Sequence, residues 1–340
     1  MKKVSLKDVA NSLGVSQTLV SFVINGKAKE KGISNSTAEM VMAKVKEMNY
    51  RPNSFARILR TGISKTIGVV VADISNPFYA RIGRNIEDYI ARFGYKVLFC
   101  STDENADKEK EHIQMLVERG IDGIILAPTR EYSAEVEQEL LDLEIPVVLI
   151  DRYYPGSDFN YVTIDNYDIT KEITRYLIEN GHTRTGYLSL VPDTTTTMKN
   201  RWEGFLSVYK DKGLKYDLDL KTDFELRKLE EQIPSRIDSL LKKGVTAMIS
   251  TNNKITIAAI YYMQQKGVKI PDDISLISFD YLDAFKILSP PLSNVRLFAE
   301  DIGDNAAAMI MDKIRNPKKS LTNVSLKAEF YHGKSVKKIK

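Results

Sequence analysis

Apolar side chains recur at helical spacing in three short stretches of the first 50 residues. The apolar positions are Leu6, Val9, Ala10 and Leu13, then Leu19, Val20, Val23 and Ile24, then Ala38, Val41, Val45 and Met48. Ser5 and Ser16 precede the first two stretches as N-caps, and Ser36 with Glu39 fits a capping box for the third. Gly14 ends the first helix. The pattern therefore predicts three helices, the first two joined by a tight turn.

Two short helices joined by a tight turn, with a third helix across them, are typical of a helix-turn-helix domain. The second helix of such a domain enters the major groove of DNA, and the outward residues of this one are Gln17, Thr18, Ser21 and Phe22. An unrelated three-helix bundle has the same apolar pattern, but the charge favours DNA. Residues 1–64 carry 11 basic and 4 acidic side chains, whereas the remainder carries 38 basic and 41 acidic ones. A basic head on a mildly acidic body indicates a polyanionic partner for the head.

After residue 65 the pattern changes to short β-branched runs that alternate with helical stretches. The predicted strands are Ile67–Ala72, Val97–Cys100, Gly123–Ala127, Val147–Ile150, Gly186–Leu190, Ala247–Ser250 and Leu276–Phe279. The predicted helices between and after them include Phe78–Phe93, Ile169–Asn180, Ile255–Lys266 and Ala299–Ile314. This alternation predicts parallel sheets with helices on both faces. Because about 275 residues exceed the usual size of one domain, we expect two lobes.

Motifs of catalysis and of metal binding are missing from this sequence. It contains no GxGxxG, GxxxxGK[ST], GxSxG or HExxH pattern, and its three histidines, His112, His182 and His332, are scattered. The single cysteine, Cys100, excludes an internal disulfide and a CxxC site. We therefore expect no enzyme activity, no metal and no cofactor. A polar N-terminus and the lack of a membrane-length apolar run predict a cytoplasmic protein without membrane contact.

Several segments resemble the lac repressor / purine repressor (LacI/GalR) family of transcription regulators. The matching runs in the head are Leu6-Lys7-Asp8-Val9-Ala10, Gly14-Val15-Ser16, Val20-Ser21, Val23, Asn25 and Asn49-Tyr50-Arg51-Pro52-Asn53, followed by Ala56 and Leu59. In the body, Arg201-Trp202-Glu203-Gly204-Phe205 resembles the R-x-x-G-F segment of the family. The resemblance covers nearly the whole chain. It implies an all-α helix-turn-helix head and an α/β, two-lobed, periplasmic-binding-protein-like body with two parallel doubly wound sheets.

The same resemblance implies domain boundaries along the chain. Residues 1–50 would form the DNA-binding domain, residues 51–64 a hinge helix with its linker, and residues 65–340 the effector-binding and dimerisation domain. Within the body, residues 65–163 and 295–325 would form the N-lobe, and residues 164–294 and 326–340 the C-lobe. Residues 162–166 and 290–295 resemble crossovers between the lobes.

Roles toward DNA follow from the resemblance residue by residue. Gln17, Thr18 and Phe22 would face base edges, and the expected phosphate contacts are Ser16, Ser21, Asn25, Ser34, Thr37, Tyr50 and Asn53. Many family members carry Arg where this chain has Phe22. Phe cannot make the bidentate contact of Arg with guanine. Phe22 would therefore either touch a thymine methyl or serve only in packing.

Residues 54–59 are expected to form the hinge helix, which in the family folds only on operator DNA. Leu59, with Ala56 one turn earlier, would wedge into the minor groove and kink the duplex. Arg57, together with Arg60, would face phosphate. The alternative for Leu59 is a buried linker residue.

Polar residues follow the predicted strands of the body, where open α/β sheets bind their ligands. The residues implied for effector binding are Asp73, Asn76, Phe78, Asp151, Arg201, Trp202, Asn253 and Asp280. A guanidinium and a carboxylate can together bind adjacent hydroxyls, which makes Arg201 and Asp280 the strongest candidates. Trp202 would either stack on a sugar ring or anchor the core. Asn253 stands where the family usually has Asp, which favours an acidic sugar slightly.

These observations define a sequence-specific DNA-binding transcription regulator, in the repressor class, controlled by a small molecule. The expected partners are double-stranded DNA with a pseudo-palindromic operator, a second copy of the chain in a homodimer, and a sugar or sugar derivative, with a nucleobase as the second choice of effector. The alternative from another class is a solute-binding sensor protein without operator binding. An enzyme that processes sugars is a third and weaker interpretation, because the sequence contains none of the catalytic motifs named above.

Overall fold

The structure is a computed structural model that describes residues 4–50, 61–320 and 322–339. It divides into two compact units, residues 1–64 and residues 65–340, which we call the head and the body.

The head is built from three helices: α1 (Leu6–Leu13), α2 (Gln17–Ile24) and α3 (Asn35–Glu47). Ser5 and Asp8 close α1 with a reciprocal capping box, and Gly14 ends it in the left-handed conformation at φ 66°. Ser16 caps α2 by accepting the backbone N–H of Leu19. The small core of the head consists of Val9, Ala10, Val20, Val23 and Val41. The three predicted helices are therefore present, with the predicted caps for the first two.

The predicted start of the third helix is wrong by two residues. Ser34, not Ser36, is the N-cap of α3, and its Oγ accepts the backbone N–H of Thr37 at 3.2 Å. The hydroxyl of Ser36 lies 3.0 Å from that of Ser34. Serine is a favourable N-cap residue at both positions. The sequence favoured Ser36 because Glu39, three residues later, completes the capping-box pattern. The backbone is extended at Ser34 (ψ 150°), which is the conformation that an N-cap requires.

The body contains two six-stranded sheets. Its strands are β1 (Thr66–Val71), β2 (Lys96–Ser101), β3 (Gly123–Leu126), β4 (Val147–Ile150), β5 (Asn160–Ile164), β6 (Thr185–Leu190), β7 (Lys221–Phe224), β8 (Ala247–Ser250), β9 (Ser275–Phe279), β10 (Ser293–Arg296), β11 (Val324–Leu326) and β12 (Glu329–Tyr331). Its α-helices are α4 (Pro77–Ala91), α5 (Ala106–Glu118), α6 (Ala134–Leu141), α7 (Asn166–Glu179), α8 (Thr196–Asp211), α9 (Leu229–Lys242), α10 (Asn253–Gln265), α11 (Ala284–Ile287) and α12 (Ala299–Arg315).

The first sheet has the order β11-β5-β4-β3-β1-β2, and the second has the order β12-β10-β9-β8-β6-β7. All described pairings are parallel except the antiparallel pair β10–β12. We call each sheet with the helices packed against it a lobe. The first lobe contains β1–β5 and β11, and the second lobe contains β6–β10 and β12. The chain passes between them after β5, β10 and β11. The carboxyl ends of the central strands in both lobes therefore face one interlobe cleft.

Every predicted strand is present, but five strands were not predicted: β5, β7, β10, β11 and β12. Residues 162–166 were read as a crossover, although Asn160–Ile164 is a strand and the crossing follows it. Residues 290–295 were also read as a crossover, whereas Ser293–Arg296 pairs with β9 and β12 in the second sheet. The missed strands are three to five residues long, and polar side chains interrupt most of them, so their apolar signal is weak.

Candidate nucleic-acid interface and interlobe cleft

The outward face of α2 carries the predicted base-reading residues. Gln17 and Thr18 are exposed, Phe22 is half-buried, and Val20 and Val23 are buried on the opposite face of the helix. This division follows from helical spacing, because residues three or four apart lie on the same side. The face offers an amide, a hydroxyl and an aromatic ring to a partner. The amide of Gln can bind adenine in a bidentate way.

The predicted phosphate contacts cluster at helix ends. Ser16 and Ser34 are the N-caps of α2 and α3, and Thr37 lies in the first turn of α3. Helix N-termini present free N–H groups and a partial positive charge, which suits phosphate. At the other end of α2, Asn25 donates from Nδ2 to the carbonyl oxygen of Ser21 at 2.7 Å.

Tyr50 follows α3 and packs against the core of the head. Burial raises the pKa of its hydroxyl, so this group is a neutral hydrogen-bond donor. Four predicted DNA-binding residues, Asn53, Ala56, Arg57 and Leu59, lie outside the described residues.

The interlobe cleft contains a small inner cavity of about 40 Å³. Its lining includes the predicted effector residues Asp73, Asn76, Phe78, Asp151, Arg201 and Asp280. These side chains are contributed by both lobes and by residues far apart in the sequence. The cavity has room for a few water molecules, so a sugar-sized ligand requires the lobes to move apart before it enters.

Arg201 is the buried cation of the inner cavity. It projects from α8, is 3% exposed, and donates from Nε to Asn166 Oδ1 at 2.8 Å and from Nη1 to the carbonyl oxygen of Thr251 at 2.7 Å. Its guanidinium carbon lies 4.0 Å from the centre of the Phe279 ring. Burial lowers the pKa of Arg201, although the charges of Asp280 and Asp151 act in the opposite direction. These fixed contacts hold the guanidinium in one orientation.

Asp151 and Asp280 face this cation from the ends of β4 and β9. Both have the left-handed backbone conformation, with φ 62° and 65°, which is uncommon for residues other than glycine. Asp151 accepts the hydroxyl of Tyr79 at 2.8 Å. Burial raises the pKa of Asp280 to about 6, a shift that Arg201 opposes and Asp151 reinforces. Backbone strain is present at both carboxylates and coincides with a raised pKa at Asp280, a combination that often occurs at functional sites.

Arg152 and Thr251 supply further polar atoms to the inner cavity. Arg152 binds the carboxylate of Glu104 with two hydrogen bonds, 2.6 and 2.7 Å long. Its buried Nε has no hydrogen-bond partner within the described residues and lies 3.8 Å from Asp151 Oδ2. The hydroxyl of Thr251 is also buried without a partner in the described part of the chain. Buried polar groups of this kind call for a ligand or water to complete them.

Several side-chain pairs join the lobes across the cleft, and two of them lie beside the inner cavity. Lys254 Nζ lies 2.5 Å from Asp73 Oδ2, and Asn253 donates from Nδ2 to Asn76 Oδ1 at 2.9 Å. Burial alone would raise the pKa of Asp73, but hydrogen bonds from Lys254 and Ser75 bring it below its usual range. One N–H of the Asn253 amide therefore binds the other lobe, and Asn253 is not part of the lining of the inner cavity.

Two larger cavities adjoin the inner one. A cavity of about 300 Å³ shares Arg152 with it and is also lined by Tyr132, Tyr153, Tyr154 and Lys199. A second, of about 490 Å³, shares Asp73, Glu104 and Leu226 with the inner cavity. The three spaces together follow the cleft between the lobes.

Trp202 does not line the inner cavity. Its ring stacks on Phe205 with centroids 5.5 Å apart, and it packs in T-shaped geometry against Tyr187 and Tyr216, with centroids 4.8 and 5.6 Å away. It therefore anchors the core of the second lobe, which was the other interpretation of this residue. Sequence reasoning missed Tyr79, Glu104 and Thr197 as cavity residues. Tyr79 and Thr197 lie within helices and Glu104 lies in the loop after β2, and no sequence motif marks any of the three.

No group of three or more His, Cys, Asp or Glu side chains within residues 4–50, 61–320 and 322–339 is arranged to hold a metal ion. Among the helices described there, none is long and apolar enough to cross a membrane.

The head with its outward recognition face and the two-lobed body with its polar cleft define the class: a DNA-binding transcription regulator with a ligand-binding domain. The profile of the family "Bacterial regulatory proteins, lacI family" matches residues 5–53. That of "Periplasmic binding proteins and sugar binding domain of LacI family" matches residues 64–334. The chain therefore belongs to the LacI family of bacterial transcription regulators. The predicted fold class is confirmed, and the matched head removes support for a solute-binding sensor without DNA binding.

Curated relatives and solved structures agree with this assignment. The chain is 31% identical to the HTH-type transcriptional repressor PurR of Photobacterium profundum, with 98% of each chain covered. It is 31% identical to the HTH-type transcriptional regulator KdgR of Bacillus subtilis, covering 98% of this chain and 97% of the relative. A LacI family regulator from Silicibacter pomeroyi has the same fold, with a TM-score of 0.82, 22% identity and coverage of 98% and 99%. The two curated relatives are transcription regulators, as the sequence predicted for this chain.

Proposed function

We propose that the chain acts as a homodimeric, operator-specific regulator in the cytoplasm whose interlobe cleft binds an uncharged sugar. The observation that carries the effector class is the convergence of Arg201, Asp151 and Asp280 on one buried cavity. A guanidinium and two carboxylates around one cavity offer both hydrogen-bond donors and acceptors, which suits adjacent hydroxyl groups. The description of the matched body profile, a sugar-binding domain, supports the same class.

The charges of the inner cavity disfavour an anionic effector. Glu104 already neutralises Arg152, and Asp73 neutralises Lys254. The remaining charges are those of Arg201, Asp151 and Asp280, with two carboxylates against one cation. An added carboxylate or phosphate would meet this excess of negative charge in a desolvated space. Sugar acids, sugar phosphates and nucleobases are therefore the comparison ligands in the test.

On DNA, the head would read a half-site through Gln17 and Thr18, while the N-termini of α2 and α3 hold phosphates through Ser16 and Ser34. Two heads related by a twofold axis require a pseudo-palindromic operator. Residues 54–59 would form the hinge helix, with Leu59 as the minor-groove wedge. Opening or closing of the lobes would alter the spacing of the two hinges in the dimer and so the affinity for the operator. A coupling of about 1–3 kcal/mol changes that affinity about 5–150-fold.

The test begins with selection of bound genomic fragments by the purified chain, and continues with operator affinity measured against each ligand class. We expect a neutral sugar to change the affinity at least about 5-fold. The variant Arg201→Met should bind the operator normally and lose the response. Lys210→Met, an exposed change in the same helix, is the control and should respond like the natural chain. A normal response of Arg201→Met, or a response only to anions, would refute the assignment.

The hinge assignment has a separate test. Leu59→Ala should weaken operator binding, because the wedge no longer unstacks the base step, while ligand binding by the body stays unchanged. Calorimetry of the sugar and fluorescence anisotropy of the operator measure the two properties independently. Equal operator affinity of the variant and the natural chain would reject the wedge and favour a linker role for Leu59.

A further inference from the structure

The connection between α2 and α3 contains a basic segment, Lys27–Gly32, which we call the lysine loop. Its three lysines, Lys27, Lys29 and Lys31, are exposed, and Glu30 is its one acidic residue. The three cations make this loop a concentrated positive surface of the head. No role was predicted for these lysines from the sequence.

The backbone of the lysine loop is fixed to the rest of the head. The N–H of Lys27 donates to the carbonyl oxygen of Phe22 at 2.8 Å, and the N–H of Ile33 donates to that of Ala28 at 2.9 Å. Ala28 and Ile33 also pack against the core of the head. The loop therefore holds its lysines at defined positions relative to α2.

Lys31 reaches back over the outward face of α2. Its Nζ lies 5.6 Å from the centre of the Phe22 ring, and 3.3 Å from Glu30 Oε1. The ring face attracts a cation, which restricts a lysine side chain that otherwise has many rotamers. Since Phe22 shares its face with Gln17 and Thr18, the ammonium group of Lys31 lies beside the surface that enters the groove.

Phe22 is in the second half of α2, whereas the N-terminal residues of a recognition helix contact the base edges. The phosphates lie at the edges of the groove, and a lysine ammonium binds them as a point charge. We propose that Phe22 is a positioning residue that reads no base. Its ring holds Lys31 so that Lys31 contacts a phosphate at the edge of the major groove. This inference concerns the DNA-binding head alone and does not depend on the effector.

The test measures the salt dependence of binding to a selected operator duplex and to a random-sequence duplex, using the full chain. Lys31→Met should lower the salt slope by about 0.9 per head on both duplexes, because one phosphate contact is lost. Phe22→Leu should weaken binding on both duplexes without changing the selected base preferences. Combined with Lys31→Met, it should add no further loss, since the two residues act as one unit. Lys29→Met is the matched control. Its fold-change in affinity should multiply with that of Phe22→Leu, because the two residues act independently.

A second aromatic variant keeps the test valid if Phe22→Leu unfolds the head, which circular dichroism would show. Phe22→Tyr retains the ring face and should bind within about 2-fold of the natural chain, because the cation–π contact remains. Relaxed preference at one base pair in Phe22→Leu, with an unchanged salt slope, would overturn the proposal and favour a thymine-methyl contact. Independent effects of Phe22→Leu and Lys31→Met would also overturn it. If the natural chain bound neither duplex, the DNA-binding function itself would be refuted.

Discussion

Replacing Asp280 by asparagine should make the protein more stable at neutral pH. The carboxyl group is 7% exposed and its pKa is raised to about 6, from an ordinary 3.8, chiefly by burial. Asparagine has the same shape and adopts the left-handed backbone readily, so the φ of 65° at this position adds no new strain. The substitution therefore removes a buried charge and leaves the geometry intact.

The size of the gain follows from linkage. A shift of about two pKa units corresponds to about 3 kcal/mol, since each unit is worth about 1.4 kcal/mol. Because the pKa of Asp280 is higher in the folded state, its protonated form favours folding below about pH 4. That stability is lost as the pH rises through about 6. The asparagine variant mimics the protonated form at every pH, so its advantage should grow from near zero to about 3 kcal/mol across this window.

Urea unfolding of the natural chain and the variant at pH 5 and pH 8 measures the effect. The difference between the two proteins cancels the other titrating groups, and we expect it to be about half as large at pH 5 as at pH 8. Asp211→Asn, an exposed change at the end of α8 in the same lobe, is the control and should shift stability by less than about 0.5 kcal/mol. A variant that is less stable at pH 8, or a gain that is independent of pH, would refute a raised pKa at Asp280.

Two further substitutions test the packing of the body and the interlobe contact. Gly204→Ala should lower the melting temperature by several degrees, because a Cβ there overlaps the carbonyl oxygen of Tyr167 and forces α7 and α8 apart; an unchanged melting temperature would contradict this close approach. Lys254→Met removes the ion pair with Asp73 across the cleft, so the radius of gyration in small-angle scattering should increase as open lobes become more populated. Lys266→Met, an exposed change just beyond the end of the same helix, is its control. Identical scattering of the natural chain and both variants would show that Lys254 does not hold the lobes together.

The sequence predicted best where one physical signal dominates. The core strands of the body are continuous apolar runs buried on both faces, such as Val147–Ile150, and their positions follow directly from that pattern. The first two helices of the head were placed by their caps, Ser5 and Ser16, which leave a local signature. Short edge strands such as β11 and β12 were missed, because their side chains alternate in burial over only three residues.

The sequence predicted where the cleft lies, but it predicted only some of the residues that line it. Strand ends pointed to Asp151 and Asp280, and the resemblance pointed to Arg201. Neither the strand ends nor the resemblance could show that Asn253 donates a hydrogen bond to the opposite lobe. They also could not show that Trp202 packs in an aromatic cluster. Those facts depend on which residues meet in three dimensions after the chain has crossed between the lobes. Spacing along the sequence contains no record of such contacts.

The buried charges of the cleft lower the folding stability of the body, which indicates that they serve ligand binding. If the cleft had no ligand to bind, a neutral residue in place of Asp280 would increase folding stability. A relaxed backbone at Asp151 and Asp280, instead of the left-handed one, would increase it further. The hydroxyl of Thr251 and Nε of Arg152 are buried at the same place without a hydrogen-bond partner among the described residues. Hydroxyl groups of a bound sugar would satisfy these atoms together, so the binding free energy of the effector offsets costs that the free protein bears. Under the proposed function, this coupling would let ligand occupancy change the balance between open and closed lobes.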